Sequence, residues 1–551
     1  KDKNRRRVWI DSQTEEEILR GIKEAKDLKE YDNLAASAYL RAKEDYLMGI
    51  NFSRLLTLKY GNSISNYLNT KYSVVSVGRV MTCVLGMVVR REREIREFVE
   101  TPFYRVLSTI GEKGATFEGE WRAVKGSKWF ESFDLYKENG FKEREKAEEL
   151  IRFLLEGVDQ KEGPVCRIES IEKKKEKKNP PLLYNLAELQ NDCSRMFKIS
   201  PDETLRVVQE LYEKKLVTYP RTDARVLSTA VAKEISRNLK GLTRYQMAAP
   251  FAQEILEAGS FQGIEKTRYV NDKQITDHYA IIPTGQGLQN LGRLPQISQK
   301  VYQVVVRRFL SVFYPAAVYQ KVSLVSAVGK EKLFSSFKVL VEEGYLKVAN
   351  VPSGKKEEDA KNAEEKTDDI QCDAAFLACL QKLKKGAILP VDGYEIKEGE
   401  TSPPKRYNSG TMILAMENAG QLIEDEELRV QIKGSGIGTS ATRAEILKKL
   451  VNIKYISLNK KTQVITPTQL GEMIYEVVNA SIRALLNPEL TASWEKGLNY
   501  VAEGSITSRE YMDKLEHFIR VKVSGVLQVN YQAALRSRYD SIAGNYRKGG
   551  K

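Results

Sequence analysis

The sequence predicts a multidomain α+β fold, and three features carry that prediction. Its 551 residues exceed what one hydrophobic core normally supports, so roughly three or four domains are expected. Alternating and aromatic strand-like runs occur in two blocks, separated by a long helical stretch. Towards the C-terminus a helix, hairpin, helix rhythm stands out.

In chain order, Asp11 to Glu17 reads as a helix start, with Thr14 capping and Glu17 completing a capping box. A long helical region continues from there to about Tyr60. Its Tyr39, Leu40, Ala42, Lys43, Tyr46, Leu47, Ile50, Arg54 and Leu58 suggest one apolar and one basic-polar stripe. Gly78 to Thr82 opens a second helix through Arg91. From about Pro102 to Arg167 the pattern shortens to strands, as in Phe103 to Leu107 and Ala115 to Trp121. Lys173 to Pro181 is lysine-rich and ends in two prolines, which reads as a solvated linker. Leu182 to about Tyr314 is largely helical, with Asp202 to Tyr212 running into a strand at Tyr219. Strand-forming runs return between Ala317 and Val351, so the β-rich layer is split around the helical piece. Residues 355 to 369 are mixed in charge and poor in apolar side chains, which reads as a mobile loop, and Pro403-Pro404 closes the β-rich piece. The last region reads as a winged-helix unit: helix from Ser440 to about Leu450, strands at Tyr455 and Gln463 around a turn at Asn459, then helix from Thr468. Lys448, Lys449, Lys454, Lys460 and Lys461 there suit either a nucleic-acid face or a solvated surface.

Lysine plus arginine outnumber aspartate plus glutamate 88 to 74, a net charge of +14 with pI near 9.2. That balance suits a polyanionic partner, or solubility alone. The five cysteines are odd in number and never spaced Cys-x-x-Cys, so neither structural zinc nor a disulfide framework is expected. The longest apolar run, Val74 to Val89, contains Arg79 and is too short for a bilayer, so no membrane segment is expected. The first residues carry no apolar signal core and read as an internal position in a longer protein. There is no Walker-type phosphate loop.

The stretch Leu216-Val-Thr-Tyr-Pro-Arg-Thr-Asp223 carries the most chemistry. Pro220 disfavours the helical region for Tyr219, and in extended chain residues i and i+2 share a face, so Tyr219 and Arg221 are expected to point the same way. A phenol can attack phosphorus, and a guanidinium two residues on can grip the same phosphate with two parallel hydrogen bonds. The alternative is a Tyr-Arg pair stacked on a strand surface. His278 is one of only two histidines, the other being His517. It is either a packed or capping residue or a hydrogen-bonding partner near a scissile phosphate.

Taken in order, Ser76–Thr82, Pro181–Gln190, Leu216–Asp223, Thr276–Thr284, Thr401–Tyr407, Ala415–Gly420 and Gly436–Ile446 resemble the motifs of the type IA DNA topoisomerases, most closely the topoisomerase III branch. The resemblance implies a torus with a helical base (1–104 and 404–551), a β-rich arch (105–177 and 326–403) and a helical catalytic domain (178–325). It implies an ATP-independent enzyme in which Tyr219 cleaves one strand through a 5′-phosphotyrosyl link, another strand passes, and the break is resealed, relaxing negative supercoils or decatenating DNA. Arg221 is then the phosphate clamp and His278 its neighbour. Arg79 and Thr82, Gln190, Asp223, and Gly438, Thr439, Thr442 and Arg443 become DNA-binding residues. Single-stranded and negatively supercoiled or catenated DNA are the implied partners of a monomeric protein in the bacterial cytoplasm, at the nucleoid. Met81, Cys83, Tyr279 and Ser440 depart from the usual family residues. The family binds Mg²⁺ through a glutamate and an Asp-x-Asp cluster in an N-terminal Toprim domain. This sequence has no Asp-x-Asp, so its metal ligands are expected outside this chain. A non-catalytic single-strand-binding clamp is the competing reading. A rolling-circle relaxase would need paired histidines, which the sequence lacks.

Overall fold

The structure is a computed structural model that describes residues 5–111, 116–156, 163–275, 277–349, 370–371, 374–431 and 436–547. The chain divides into two units. One comprises Lys1–Glu97, Leu182–Phe309 and Pro404–Lys551, the other Phe98–Pro181 and Leu310–Pro403. The expected 355–369 loop lies outside the described residues.

In the first, mainly helical unit, Thr14 caps helix Glu15–Lys23 by accepting from Glu17 N at 3.3 Å. Only half of the expected capping box forms, because the Glu17 carboxylate pairs with Arg20. The long helical region is not continuous either. The chain leaves the helix at Lys23, pairs Lys26–Asp27 with Arg6–Arg7, and re-enters a 37-residue helix, Asp32–Leu68, through a short turn capped by Asp27. That helix buries Leu40, Met48, Phe52, Leu56, Tyr60 and Ile64, a four-residue spacing that lays one stripe against the core. Helix Arg79–Glu97 packs into the same core with Val84 and Val88, joined by Met412, Ile474 and Leu515 from later segments. The winged-helix expectation is met by helix Arg443–Asn452, antiparallel strands Ile456–Leu458 and Ile465–Pro467, and helix Gln469–Ser481. Its first helix starts three residues later than predicted because Thr439 and Thr442 form a hydroxyl-bonded turn, Thr439 N donating to Thr442 Oγ1 at 2.9 Å. Gly471 has to be glycine: a Cβ there would lie 1.9 Å from the Tyr455 carbonyl oxygen.

The second unit is built on a nine-stranded sheet. Along it lie Ile370–Gln371, Glu331–Glu342, Ala317–Val328, Val165–Lys178, Ile388–Glu400, Pro102–Ile110, Gly140–Phe141 and Leu135–Lys137, while Phe117–Arg122 pairs with both Pro102–Ile110 and Glu331–Glu342. The split β layer is therefore one sheet, drawn from chain on both sides of the helical insertion. Lys173–Lys178 corrects the linker expectation. These residues are strand, paired in register with Ala317–Val322 from Lys178↔Ala317 to Lys173↔Val322. The pairing partner lies far along the chain, so a lysine run with no local apolar alternation concealed it. Helix Arg144–Leu155 also interrupts the stretch read as strands, and it buries Ala147, Leu150 and Leu154 at helical spacing beside Trp129 and Phe153.

Candidate active site

Helix Pro201–Glu213 begins with Ser200 as its cap and a proline in the first turn, which fixes where it starts. It ends at Lys214, and Lys215, at φ 61°, turns the chain out. From Leu216 the chain does not form the expected regular strand: Val217 makes a single bridge to Pro283, and the chain bends at Leu216, Thr218 and Pro220. Backbone bonds tie this segment to residues 280–284 at Thr284 N to Leu216 O, Thr218 N to Ile282 O and Ala280 N to Val226 O, each 3.0 Å.

Two threonine hydroxyls complete the strap. Thr218 Oγ1 donates to Ala280 O at 3.0 Å and accepts from Ile282 N at 2.9 Å. Thr222 Oγ1 donates to His278 O at 2.8 Å and accepts from Ala224 N at 3.0 Å. The two clamps bracket Tyr219 on one side and His278 on the other, and the rings meet with centroids 4.3 Å apart, tilted by 43°. Tyr212 closes the far side edge-on at 5.4 Å. Tyr219 is half-buried. Arg221 is exposed and, among the described residues, makes no hydrogen bond or ion pair. Partial desolvation holds the His278 imidazole below its ordinary pKa, against the adjacent Asp277 carboxylate, which raises it. The ring is therefore neutral at neutral pH, with an N–H to donate. Tyr279 is held inert beside it, its phenol pushed up to about 12 by burial.

A polar cluster binds this segment to residues 404–551 of the same unit. Arg443, buried, pairs with Asp223 Oδ1 at 3.0 Å and lies 3.8 Å from Glu417 Oε1. Asn185 Nδ2 donates to Glu417 Oε1 at 2.7 Å and to Asp223 O at 3.1 Å, while its own Oδ1 caps helix Leu186–Phe197. Burial raises the Glu417 pKa, and Arg443 and Asn185 oppose that shift. Helix Ser409–Glu417 reaches this cluster because Gly410 lies directly on helix Leu186–Phe197: a Cβ there would stand 2.7 Å from the Asn191 Cα.

The structure thus brings Tyr219 and His278 together, with Arg221 exposed two residues along the same strap and Asp223 and Arg443 paired alongside. The other expected DNA contacts are placed differently. The Arg79 guanidinium is buried among Glu44, Asp45 and Glu495, at 3.2, 3.0 and 3.0 Å, and so is not open to a phosphate. Thr82 is buried and accepts from Gly78 N at 3.0 Å. Gln190 does not face an open site; it is buried and donates to Pro201 O at 3.0 Å. Thr439 and Thr442 are exposed beside Gly438, whose φ is +68°. Sequence reasoning missed Thr218, Thr222, Asn185 and Glu417. All four lie in stretches the sequence singled out: the threonines flank the Tyr-Pro-Arg triplet with short hydroxyls suited to backbone bonding, and Asn185 and Glu417 fall within Pro181–Gln190 and Ala415–Gly420 without a role assigned to them.

The magnesium implied by the family resemblance does not fit the residues present. Asp223 and Glu417 are engaged by Arg443, and Glu188 by Arg225 at 2.7 Å. Among the described residues no group of three or more His, Cys, Asp or Glu side chains could hold a metal ion, and no step is derived through one. None of the helices among those residues is long and apolar enough to cross a membrane.

A sheet drawn from both sides of a helical insertion is the fold of a type IA topoisomerase. The fold matches full-length topoisomerase I from Thermotoga maritima with a TM-score of 0.62 at 21% identity, over 95% of this chain and 73% of that one. The chain belongs to the DNA topoisomerase family, which it matches over residues 29–513. It is 32% identical to DNA topoisomerase 3 of Bacillus subtilis (strain 168) over 98% of this chain and 66% of that protein. With DNA topoisomerase 3 of Bacillus licheniformis it shares 31% identity over 98% of this chain and 67% of the relative. The chain spans about two thirds of the length of these curated relatives.

Proposed function

We propose that this chain carries the strand-cleaving tyrosine of an ATP-independent type IA topoisomerase. Tyr219 Oη attacks a phosphodiester of single-stranded DNA. The new O–P bond makes a 5′-phosphotyrosyl link as the bond to O3′ breaks, and the leaving oxygen takes up a proton as a 3′ hydroxyl. Attack by that hydroxyl reverses the step after another strand has passed, which relaxes negative supercoils or decatenates DNA. Arg221 clamps the non-bridging oxygens and offsets the charge that develops on them, and neutral His278 donates a hydrogen bond beside it. The observation that carries this reading is an exposed Arg221, without a partner among the described residues, two residues from a tyrosine whose ring rests 4.3 Å from that of His278. The bound strand is proposed to run along helix Asp32–Leu68, where Tyr46, 64% exposed, offers a stacking platform and Lys43, whose Nζ lies over the Tyr39 ring at 4.9 Å, and Arg54 offer positive charge.

The same reading includes Mg²⁺ held by a Toprim domain, the five-segment division into base, arch and catalytic domain, a monomeric protein, and a place at the bacterial nucleoid. Its test is to incubate the chain with labelled single-stranded DNA, with and without a supplied Toprim domain and Mg²⁺. A covalent adduct that Tyr219→Phe abolishes is expected. Retained single-strand binding with no adduct under either condition would overturn the proposal in favour of a non-catalytic clamp.

A further inference from the structure

Tyr212 stands in the last turn of helix Pro201–Glu213, seven positions before Tyr219. Among the described residues the Tyr219 ring meets two others, His278 at 4.3 Å and tilted by 43°, and Tyr212 at 5.4 Å and 84°. The backbone between the two tyrosines is fixed. Lys215 N donates to Tyr212 O at 2.8 Å and Leu216 N to Leu211 O at 2.9 Å, a Schellman closure that ends the helix and launches the strap. Gly287 packs on the same turn, since a Cβ there would stand 2.2 Å from Lys214 O. The Thr218 and Thr222 hydroxyls then hold the strap itself.

What these bonds leave free is the Tyr219 side chain, whose rotamer decides where the phenol oxygen points. Tyr219 Oη makes no hydrogen bond among the described residues, so the phenol has no polar anchor there and its ring contacts set its direction. Tyr212 has an ordinary alternative role as apolar cover at a helix end, where it is 36% exposed. Cover would be served by any apolar side chain. A perpendicular ring pair does more, because it sets the positive edge of one ring against the negative face of the other, a contact with a preferred direction that an aliphatic side chain lacks.

We propose that Tyr212 is a positioning residue for Tyr219: its ring, together with the His278 imidazole, selects the rotamer from which Oη attacks phosphorus. The link to attack rests on the strand-cleavage reading above. Tyr212 acts through its ring, and its own hydroxyl makes no hydrogen bond among the described residues. A single ring contact is weak, so losing it spreads Tyr219 over several rotamers without unfolding the strap. The competent fraction then falls about threefold to tenfold, the population shift that one aromatic contact supports.

The test uses the full chain with a supplied Toprim domain and Mg²⁺, as wild type, Tyr212→Leu and Tyr212→Phe. Single-turnover adduct formation is followed across concentrations of labelled single-stranded DNA, and a urea midpoint is taken for each protein. In parallel, Tyr219 alone is replaced by 3-fluorotyrosine, and its ¹⁹F NMR line is read without DNA. We expect Tyr212→Leu to form adduct about threefold to tenfold more slowly at saturating DNA, with the half-saturating concentration and the urea midpoint near wild type. Its ¹⁹F line should shift or broaden, and Tyr212→Phe should match wild type in every readout. An unchanged plateau rate or an unchanged ¹⁹F line in Tyr212→Leu would overturn the proposal and leave Tyr212 as cover. A higher half-saturating concentration with an unchanged plateau would overturn it in favour of a DNA contact. Tyr212→Phe as slow as Tyr212→Leu would overturn it in favour of the hydroxyl. If no protein, wild type included, forms an adduct while the ¹⁹F line still depends on the ring at position 212, the cleavage reading fails and the control of the Tyr219 ring by Tyr212 stands.

Discussion

Two arginines, each set beside a tyrosine, show how differently one side chain is used. Arg221 lies exposed on a strap two residues beyond Tyr219, with no partner among the described residues. Arg79 opens a helix and is 5% exposed, surrounded by Glu44, Asp45 and Glu495, with Tyr511 donating to Glu44 at 2.7 Å. Burying a guanidinium is tolerable only when its charge is met, and here three carboxylates meet it. A free guanidinium on the surface costs little and remains available to an anion. The difference teaches that an arginine in a DNA-binding motif is a candidate phosphate ligand only when its neighbours leave it unpaired.

The comparison predicts opposite signatures for the two residues. Arg79→Ala leaves Glu44 buried and uncompensated beside two further carboxylates, and removing one partner of a buried ion pair typically costs about 3 to 5 kcal/mol. That loss would show in urea denaturation. If Arg79→Ala unfolded at the wild-type midpoint but bound single-stranded DNA more weakly, the structural role would fail and the phosphate role would return.

Arg221→Ala should do the reverse. Removing an exposed, unpaired side chain shifts stability by about 0.5 kcal/mol or less. Removing a preorganised donor aimed at developing charge costs on the order of 10² to 10³ in rate, roughly 3 to 4 kcal/mol. Single-turnover adduct formation reads this directly, and Arg221→Lys should recover only part of it because an ammonium cannot make the two parallel bonds. Unchanged adduct kinetics in Arg221→Ala would remove the clamp role.

Local pattern made much of this legible. The Tyr-Pro-Arg triplet, the two β-rich blocks and the helix, hairpin, helix unit could all be read, because each is written in adjacent residues. What could not be read depends on partners distant in sequence. Lys173–Lys178 looked like linker because its pairing strand begins at Ala317. Arg79 looked like a DNA contact because Glu495 lies 416 positions away. Asn185 and Glu417 lay within singled-out stretches, but their roles could not be read, since these exist only where helix Ser409–Glu417 docks through Gly410. The Thr218 and Thr222 clamps stand between these cases: hydroxyls next to the motif were visible, but not the carbonyls of Ala280 and His278 that receive them.

A pH test sharpens the contrast from the paired side. Burial raises the Glu44 pKa to about 7, and Arg79 only partly opposes this because Asp45 and Glu495 share the same guanidinium. A carboxyl whose pKa is higher folded than unfolded binds more protons in the native state between its two values. Stability should therefore fall as pH rises from about 4.5 to about 7, and level off outside that window. A shift of this size corresponds to at most about 3 kcal/mol at 1.36 kcal/mol per pH unit. Glu44→Gln still offers an oxygen to Tyr511 but cannot ionise, so urea midpoints at pH 5 and pH 8 should converge relative to wild type. Among the described residues the Tyr219 strap contains no carboxylate buried in this way, so DNA-adduct yield per folded molecule should not depend on this substitution. Equal pH slopes in wild type and Glu44→Gln would mean that Glu44 is ionised throughout and that Arg79 neutralises it more fully than three competing carboxylates should allow.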